Sequence, residues 1–164
     1  MYRVVDMQER YLDEVLKIEH ASFEDPWPVS AFMNELRHPW SWFKVAGEQG
    51  DLFRLERVMG FIICWMLPGD LHLLNLAVVP ECRRKGIGSR MLNDSLNAFS
   101  LSGGGLVSLE VRPSNLAARQ MYKAHGFGEI GRRPGYYRRQ DEDAIVMARK
   151  VDKRSGTRHE KVGG

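Results

Sequence analysis

Val78-Val79-Pro80-Glu81-Cys82-Arg83-Arg84-Lys85-Gly86-Ile87-Gly88-Ser89-Arg90 decides the fold of this chain. An apolar run from Leu73 to Val79 stops at a proline. A basic turn punctuated by two glycines follows, and a helical pattern begins. The order is strand, loop, helix. The first turn of a helix carries unpaired N–H groups and the positive end of the helix dipole, so such a loop suits a phosphate or pyrophosphate. Gly86 and Gly88 let the backbone approach such an anion closely. No Gly-x-x-x-x-Gly-Lys-Ser/Thr is present, and Gly86-x-Gly88 lacks the third glycine of the dinucleotide fingerprint. An ordinary basic helix start remains the alternative for the segment on its own.

The surrounding chain bounds the possibilities. Its 164 residues fit one domain with a substantial core, and 43% hydrophobic with 27% charged residues is the composition of a globular protein. No apolar run approaches the ~20 residues needed to span a membrane. Asp6, Glu9 and Arg10 interrupt any apolar leader, so a cytoplasmic location is expected. Cys64 and Cys82 form neither a disulfide framework nor a zinc motif. Cys64 sits in an apolar run and is expected in the core, and Cys82 reads as a bystander in the loop. His20, His38, His72, His125 and His159 show no ligand spacing, so no metal is expected.

The net charge of +3 belongs to the C-terminus. Residues 149–164 hold six basic and two acidic side chains, a balance of +4, and the preceding 148 residues sum to −1. The chain therefore divides into a domain over 1–150 and a basic tail over 151–164, expected to be disordered. The tail could meet RNA phosphates, but a solvated terminus is the favoured reading. DNA and membranes are not expected partners, and a monomer is favoured.

Patterning predicts the elements. Tyr2 to Val5 reads as a strand, and Leu12, Val15 and Leu16 mark a helix to about His20. A turn over 23–28 with two prolines precedes a short helix near Ser30 to Leu36. Trp40 to Ala46, Val58 to Leu67 and Leu71 to Val79 read as strands, the last nearly continuous in apolar residues and so central. Ile87, Met91, Leu92, Leu96 and Phe99 form a helical core stripe. A strand at Leu106 to Val111, a helix from Asn115 closed by His125-Gly126, and strands at Phe127 to Gly131 and Asp143 to Arg149 complete the chain. The fold class is α/β (α+β), with a mixed sheet and at least one strand–helix–strand crossover over 71–111.

Chemistry-bearing residues gather in Leu109-Glu110-Val111-Arg112-Pro113-Ser114-Asn115 and the helix after it. Glu110 lies in an otherwise apolar strand, where most glutamates simply face solvent. Asn115 stands where a helix cap is expected, and Tyr122 lies two turns on along nearly the same face, where a core aromatic is the alternative. Parallel strands place their following loops at one sheet edge, so the anion loop, Glu110, Asn115 and Tyr122 would converge there. Such a group suits acyl transfer from a phosphate-bearing thioester, with a base for the nucleophile and an acid for the departing thiolate.

Two ordered motifs carry a resemblance. Arg83-x-x-Gly86-x-Gly88 after a Val-x-Pro strand end, and Asn115-x-x-Ala118-x-x-x-Tyr122-x-x-x-Gly126-Phe127, are together similar to the GCN5-related N-acetyltransferase (GNAT) superfamily over roughly residues 1–150. Within it the chain most resembles the RimI branch, the ribosomal-protein-alanine N-acetyltransferases. Phe23-x-x-Pro26-Trp27, Asn75-Leu76-Ala77-Val78, Leu109 to Asn115, Tyr136-Tyr137 and Glu142-Asp143-Ala144 carry that likeness. The resemblance implies a splayed central sheet of about seven strands flanked by about four helices, with acetyl-CoA as co-substrate wedged into it. The main chain of Leu76, Ala77 and Val78 would pair with the pantetheine arm. The N–H groups of Arg84, Lys85, Gly86, Ile87, Gly88 and Ser89 would hold the pyrophosphate, and Asn115 would bond the cofactor. Glu110 would be the general base and Tyr122 the general acid. Trp27, Tyr136 and Tyr137 would border the acceptor.

The acceptor implied is a protein N-terminus, in the RimI branch the N-terminal alanine of a ribosomal protein, attacked directly without an acyl-enzyme. An α-amine has a pKa of about 8 against about 10.4 for lysine, so reaching a lysine costs roughly 3 kcal/mol more. A lysine or small amine as acceptor is the alternative, and a CoA-binding module without catalysis is the alternative of another class. The segment Gly135 to Asp141 departs from the RimI pattern in length and charge. Arg132, Arg133, Arg138 and Arg139 gather there, to meet an acidic peptide or as a solvated basic hairpin.

Overall fold

The computed structural model describes residues 1–155. Seven strands form one sheet: β1 (Tyr2–Asp6), β2 (Ser41–Gln49), β3 (Leu55–Leu67), β4 (Gly69–Val78), β5 (Gly105–Val111), β6 (Gly128–Tyr137) and β7 (Glu142–Val151). Four α-helices accompany them: α1 (Leu12–Ser22), α2 (Val29–Arg37), α3 (Ile87–Leu101) and α4 (Leu116–Ala124). The strand order is β1-β2-β3-β4-β5-β7-β6. Only β4 and β5 run parallel, joined through α3. The predicted mixed sheet, its seven strands and its four helices are all present.

Two apolar clusters cover the faces of the sheet. On one face the α3 stripe of Ile87, Met91, Leu92, Leu96 and Phe99 packs with Leu71, Leu73, Val107, Leu109 and Met147. On the other, Val15 and Ile18 of α1 and Phe32 of α2 meet Phe43, Phe61 and Ile63. Side-chain to backbone bonds fasten α1 and the residue before it to β3: the Leu55 N–H donates to the Tyr11 hydroxyl at 3.0 Å and the Val58 N–H to Glu14 at 2.8 Å. Cys64 is buried as expected, Cys82 of the loop is buried as well, and burial pushes the Cys64 thiol up to about 12.

The feature that positions the site lies in β4. Parallel pairing with β5 begins at Gly69 and Gly105 and ends at Leu73 and Leu109. At its start the backbones are so close that a Cβ on Gly105 would lie 2.2 Å from the Gly69 oxygen. On the other edge of β4, Cys64 of β3 pairs with Leu73 and Ile63 with Asn75, which leaves Leu74 as an extra residue. This is a β-bulge, and it bends the strand where the β5 pairing stops. It also resets the alternation of side chains. Leu71 and Leu73 face the α3 cluster, whereas Leu74 and Ala77 belong to the α1–α2 cluster. Beyond the bulge, Leu74 to Val78 and Glu110 to Val111 diverge, and the sheet opens between them.

The C-terminal strand β7 runs through Val151. The Arg154 N–H donates to the Ser100 carbonyl, so the chain beyond the predicted boundary at 150 still contacts the end of α3. Residues 156–164, which contain most of the expected tail, lie outside the described residues.

Candidate active site

The mouth of the opening is made by β4, β5 and the start of α3. Leu76, Ala77 and Val78 form the splayed half of β4, where the β5 ladder no longer reaches their main chain. The loop after it is held at its base by Arg83. Its Nε donates to the Val78 carbonyl at 2.9 Å, and its Nη2 to the Ser22 hydroxyl at 3.1 Å. The next residues turn sharply. Arg84 has φ +60° and Gly86 φ +82°, both left-handed. A left-handed arginine is a costly conformation and a mark of a functional loop.

Gly86 is the N-cap of α3, and no side chain among the described residues caps it. The first intrahelical bond runs from the Arg90 N–H to the Gly86 carbonyl, so the N–H groups of Ile87, Gly88 and Ser89 have no partner within the helix. A Cβ on Gly86 would touch nothing within 4 Å, which leaves that side of the turn open. Uncapped helix donors, successive left-handed turns and an open approach together fit a pyrophosphate. The residues present therefore fit acetyl-CoA: the loop for its phosphates and the splayed edge of β4 for its arm.

Asn115 caps α4, its Oδ1 accepting the Ala118 N–H at 3.2 Å. The cap occupies the oxygen and leaves the amide nitrogen as the group that could meet a ligand. Tyr122, on the same helix, is 8% exposed and packs edge-on against Phe127 at 5.8 Å. It is thus a core aromatic as well as a site candidate. Burial is the main reason its hydroxyl is held far above the usual tyrosine value, with Cys64 and Tyr137 adding to the effect. The phenol is fully protonated at neutral pH.

Glu110 does not face solvent as most strand glutamates do; its side chain is 11% exposed. Its neighbours Leu109 and Val111 enter the α3 cluster, so by strand alternation Glu110 turns to the α1–α2 face. There its Oε2 lies 2.6 Å from His72 Nε2, and its Oε1 accepts from Arg133 Nη1 at 2.9 Å. Burial pushes the carboxyl up, but the hydrogen bond and charge of His72, with Arg133, outweigh it and leave the group below its ordinary value. Tyr122 belongs to the α3-side cluster and Glu110 turns to the α1–α2 side. A phenol and a carboxylate thus stand on opposite faces of the sheet.

The aromatic candidates divide. β6 leaves its ladder with β7 between Arg133 and Tyr137, around Pro134 and Gly135, and this irregularity presents the tyrosines. Tyr136 and Tyr137 sit edge-to-face at 5.0 Å, with Arg133 over the first ring and Arg112 over the second. Burial and then Tyr136 push the Tyr137 hydroxyl up to about 12, and Glu110 adds to this. Both tyrosines are therefore electrostatic neighbours of Glu110. Trp27 is placed differently. Its ring packs on Phe32 at 5.6 Å, and its backbone N–H donates to Glu19 Oε1 at 2.9 Å. Of the four arginines, Arg133 is tied to Glu110, and Arg139 reaches Asp25 of the α1–α2 connection at 3.4 Å.

Three site residues were not singled out in the sequence: His72, Glu19 and, as a side chain, Asn75. Glu19 is 1% exposed, and its second oxygen accepts from Asn75 Nδ2 at 2.9 Å. Burial is the largest influence on its carboxyl and raises it, against the bonds from Trp27 and Asn75 and the charge of His20. Its signal was present, since it stands four residues after Val15 on the apolar stripe of α1. His72 could be found only from the parallel register. Among the described residues no group of three or more His, Cys, Asp or Glu side chains could hold a metal ion. None of their helices is long and apolar enough to cross a membrane.

Comparison with known proteins agrees with this geometry. The profile of the Acetyltransferase (GNAT) family matches residues 12–127. The N-alpha-acetyltransferase RimI of Mycobacterium tuberculosis is 35% identical over 132 residues, covering 77% of this chain and 77% of that protein. The ribosomal protein bS18-alanine N-acetyltransferase of Escherichia coli K12 is 35% identical over 131 residues, covering 74% of this chain and 88% of its own length. The crystal structure of the Escherichia coli ribosomal-protein-S18-alanine N-acetyltransferase superposes with a TM-score of 0.82 at 27% identity, over 96% of this chain and 98% of that one. NAA60 of Arabidopsis thaliana in complex with acetyl-CoA shares the fold, with a TM-score of 0.78 at 19% identity over 92% of this chain and 99% of that one. The chain belongs to the GNAT family of acetyl-CoA-dependent N-acetyltransferases.

Proposed function

We propose that this enzyme acetylates the α-amino group of a protein N-terminus, and that an N-terminal alanine of a ribosomal protein is its acceptor. The observation that carries the reading is the position of Glu110 and Tyr122 on opposite faces of the sheet that opens between β4 and β5. Of the two bacterial relatives named above, each 35% identical, the N-alpha-acetyltransferase supports the α-amine and the bS18-alanine N-acetyltransferase the ribosomal alanine.

Acetyl-CoA supplies a thioester whose carbonyl carbon accepts the amine nitrogen. The loop at Arg84 to Ser89 binds the pyrophosphate through main-chain N–H groups, and the splayed β4 orients the arm. Glu110, ionised at neutral pH, receives the proton that the α-ammonium must lose, directly or through a water. Tyr122 donates a hydrogen bond toward the sulfur from the other face. The balance is this: an N–C bond forms and the C–S bond breaks; of the two protons the α-ammonium loses, one passes through Glu110 to solvent, and the other offsets the proton that Tyr122 gives the departing thiolate. An α-amine with a pKa of about 8 is already about one-tenth neutral at pH 7, so a carboxylate with a low pKa suffices as base.

Mass spectrometry of Ala-, Ser- and Met-initiated peptides incubated with enzyme and acetyl-CoA tests the reading. Acetylation of the Ala-initiated N-terminus, with lysines left unmodified, is the expected result. Modification of lysines or small amines alone would move the enzyme to another acceptor class. Binding of acetyl-CoA without turnover on any acceptor would leave a cofactor-binding module.

A further inference from the structure

The buried carboxylate of Glu19 has no part in the chemistry above, yet it is placed at a junction. It lies near the end of α1 and contacts two other segments. One oxygen takes the backbone N–H of Trp27, in the connection to α2, and the other takes the side-chain amide of Asn75, the first residue after the β4 bulge. Three residues on, the Ser22 hydroxyl takes the guanidinium of Arg83 from the pyrophosphate loop. The last turns of α1 thus touch the acceptor-side connection, the splayed strand and the cofactor loop. Asn75 stands three residues after His72, on the same α1–α2 side that carries Glu110. Asp25, two residues before Trp27, reaches across to Arg139 on the other wall.

We infer that Glu19 is a positioning residue that fixes the segment Phe23 to Pro28 against β4 and thereby sets affinity for the acceptor peptide rather than for acetyl-CoA. The inference rests on the proposed acceptor side. Its physical basis is a matched pair of demands. Two N–H donors from separate segments converge on one carboxylate, and a buried donor deprived of its acceptor is costly. No uncharged side chain of the same length offers two oxygens.

The test uses a polarity swap. Glu19→Gln keeps the volume but presents one acceptor and one donor, so one of the two N–H groups loses its partner. The double variant Glu19→Gln with Asn75→Asp restores a donor–acceptor match between the two side chains and leaves the glutamine oxygen for Trp27. Two readouts are taken: amide hydrogen exchange of residues 23–28 in the free enzyme, and the KM values for acceptor peptide and acetyl-CoA. In Glu19→Gln the segment is expected to exchange about tenfold faster while α3 and β5 are unchanged, as expected for one lost charge-assisted bond. The acceptor KM should rise about tenfold and the acetyl-CoA KM stay within about twofold. The double variant should recover most of both effects.

Unchanged exchange at 23–28, an equal rise in both KM values, or no recovery in the double variant would overturn the inference. If Glu19→Gln does not fold, Asn75→Ala, which removes one donor only, is read by the same two measurements. A wild-type enzyme inactive on every N-terminal peptide would defeat the proposed acceptor, and the exchange data alone would then decide whether Glu19 holds the segment.

Discussion

His72 Nε2 and Glu110 Oε2 lie 2.6 Å apart, one residue before and one residue after the last paired rung of β4 and β5, Leu73–Leu109. The contact, with Arg133 on the other oxygen, holds Glu110 below its ordinary 4.5 despite burial. A carboxyl with a lowered pKa is ionised at every pH above that value, so it contributes no acid limb between pH 6 and 8. The acid limb of kcat/KM then belongs to the acceptor amine. With an Ala-initiated peptide, log kcat/KM is expected to rise with unit slope from pH 6 and level near pH 8. A plateau already present at pH 6 would contradict it.

Glu110→Gln and Tyr122→Phe are each expected to lower kcat by on the order of 10²-fold, the scale of a lost general acid or base. Acetyl-CoA binding, measured by calorimetry, should persist in both. Tyr122→Phe keeps the ring against Phe127, so folding is not the cause of its loss. Unchanged turnover in both variants would remove these residues from the reaction.

The pyrophosphate loop is expected to depend on its backbone more than on its charge. Gly86→Val places a β-branched residue at φ +82°, a conformation costing roughly 1–3 kcal/mol, and fills the open side of the turn. Affinity for acetyl-CoA should fall by about ten- to a hundredfold. Arg84→Ala should weaken it only severalfold, about the effect of one exposed charge. Normal calorimetric affinity in Gly86→Val would refute the assignment.

Asn115 caps α4 and is proposed to meet acetyl-CoA through its amide nitrogen, and substitutions can divide the two. Asn115→Ser keeps a cap for α4 and removes only the amide nitrogen, so it should weaken acetyl-CoA binding with thermal stability preserved. Asn115→Ala removes the cap as well and should cost about 1 kcal/mol of stability. Equal cofactor affinity in wild type and both variants would confine Asn115 to capping.

Much of this was legible in the sequence because local signals agreed. The α3 stripe, the run of β4 and the helix signals around α4 each named their element, and the two glycine-bearing motifs named the cofactor loop. What stayed hidden was set by register. Glu110 was named as a candidate base, but its contact with His72 was not legible, because nothing in its neighbourhood reveals that the parallel pairing brings His72 alongside. The strand expected over Phe127 to Gly131 extends to Tyr137, passing Pro134 and Gly135 as an irregularity in the ladder. Trp27, named for the acceptor side, rests its ring on Phe32 and gives its backbone N–H to Glu19, tertiary contacts that no local pattern announces.

The extra residue at Leu74 has a consequence for how this chain tolerates change. It acts as a phase shift: upstream and downstream halves of one strand follow opposite parities. A one-residue deletion there would scarcely alter composition or hydropathy. It would leave Asn75 opposite Ile63 and on the α1–α2 face, yet remove the bend at which the β5 ladder stops. The opening is therefore encoded as an offset in counting rather than as a set of special side chains.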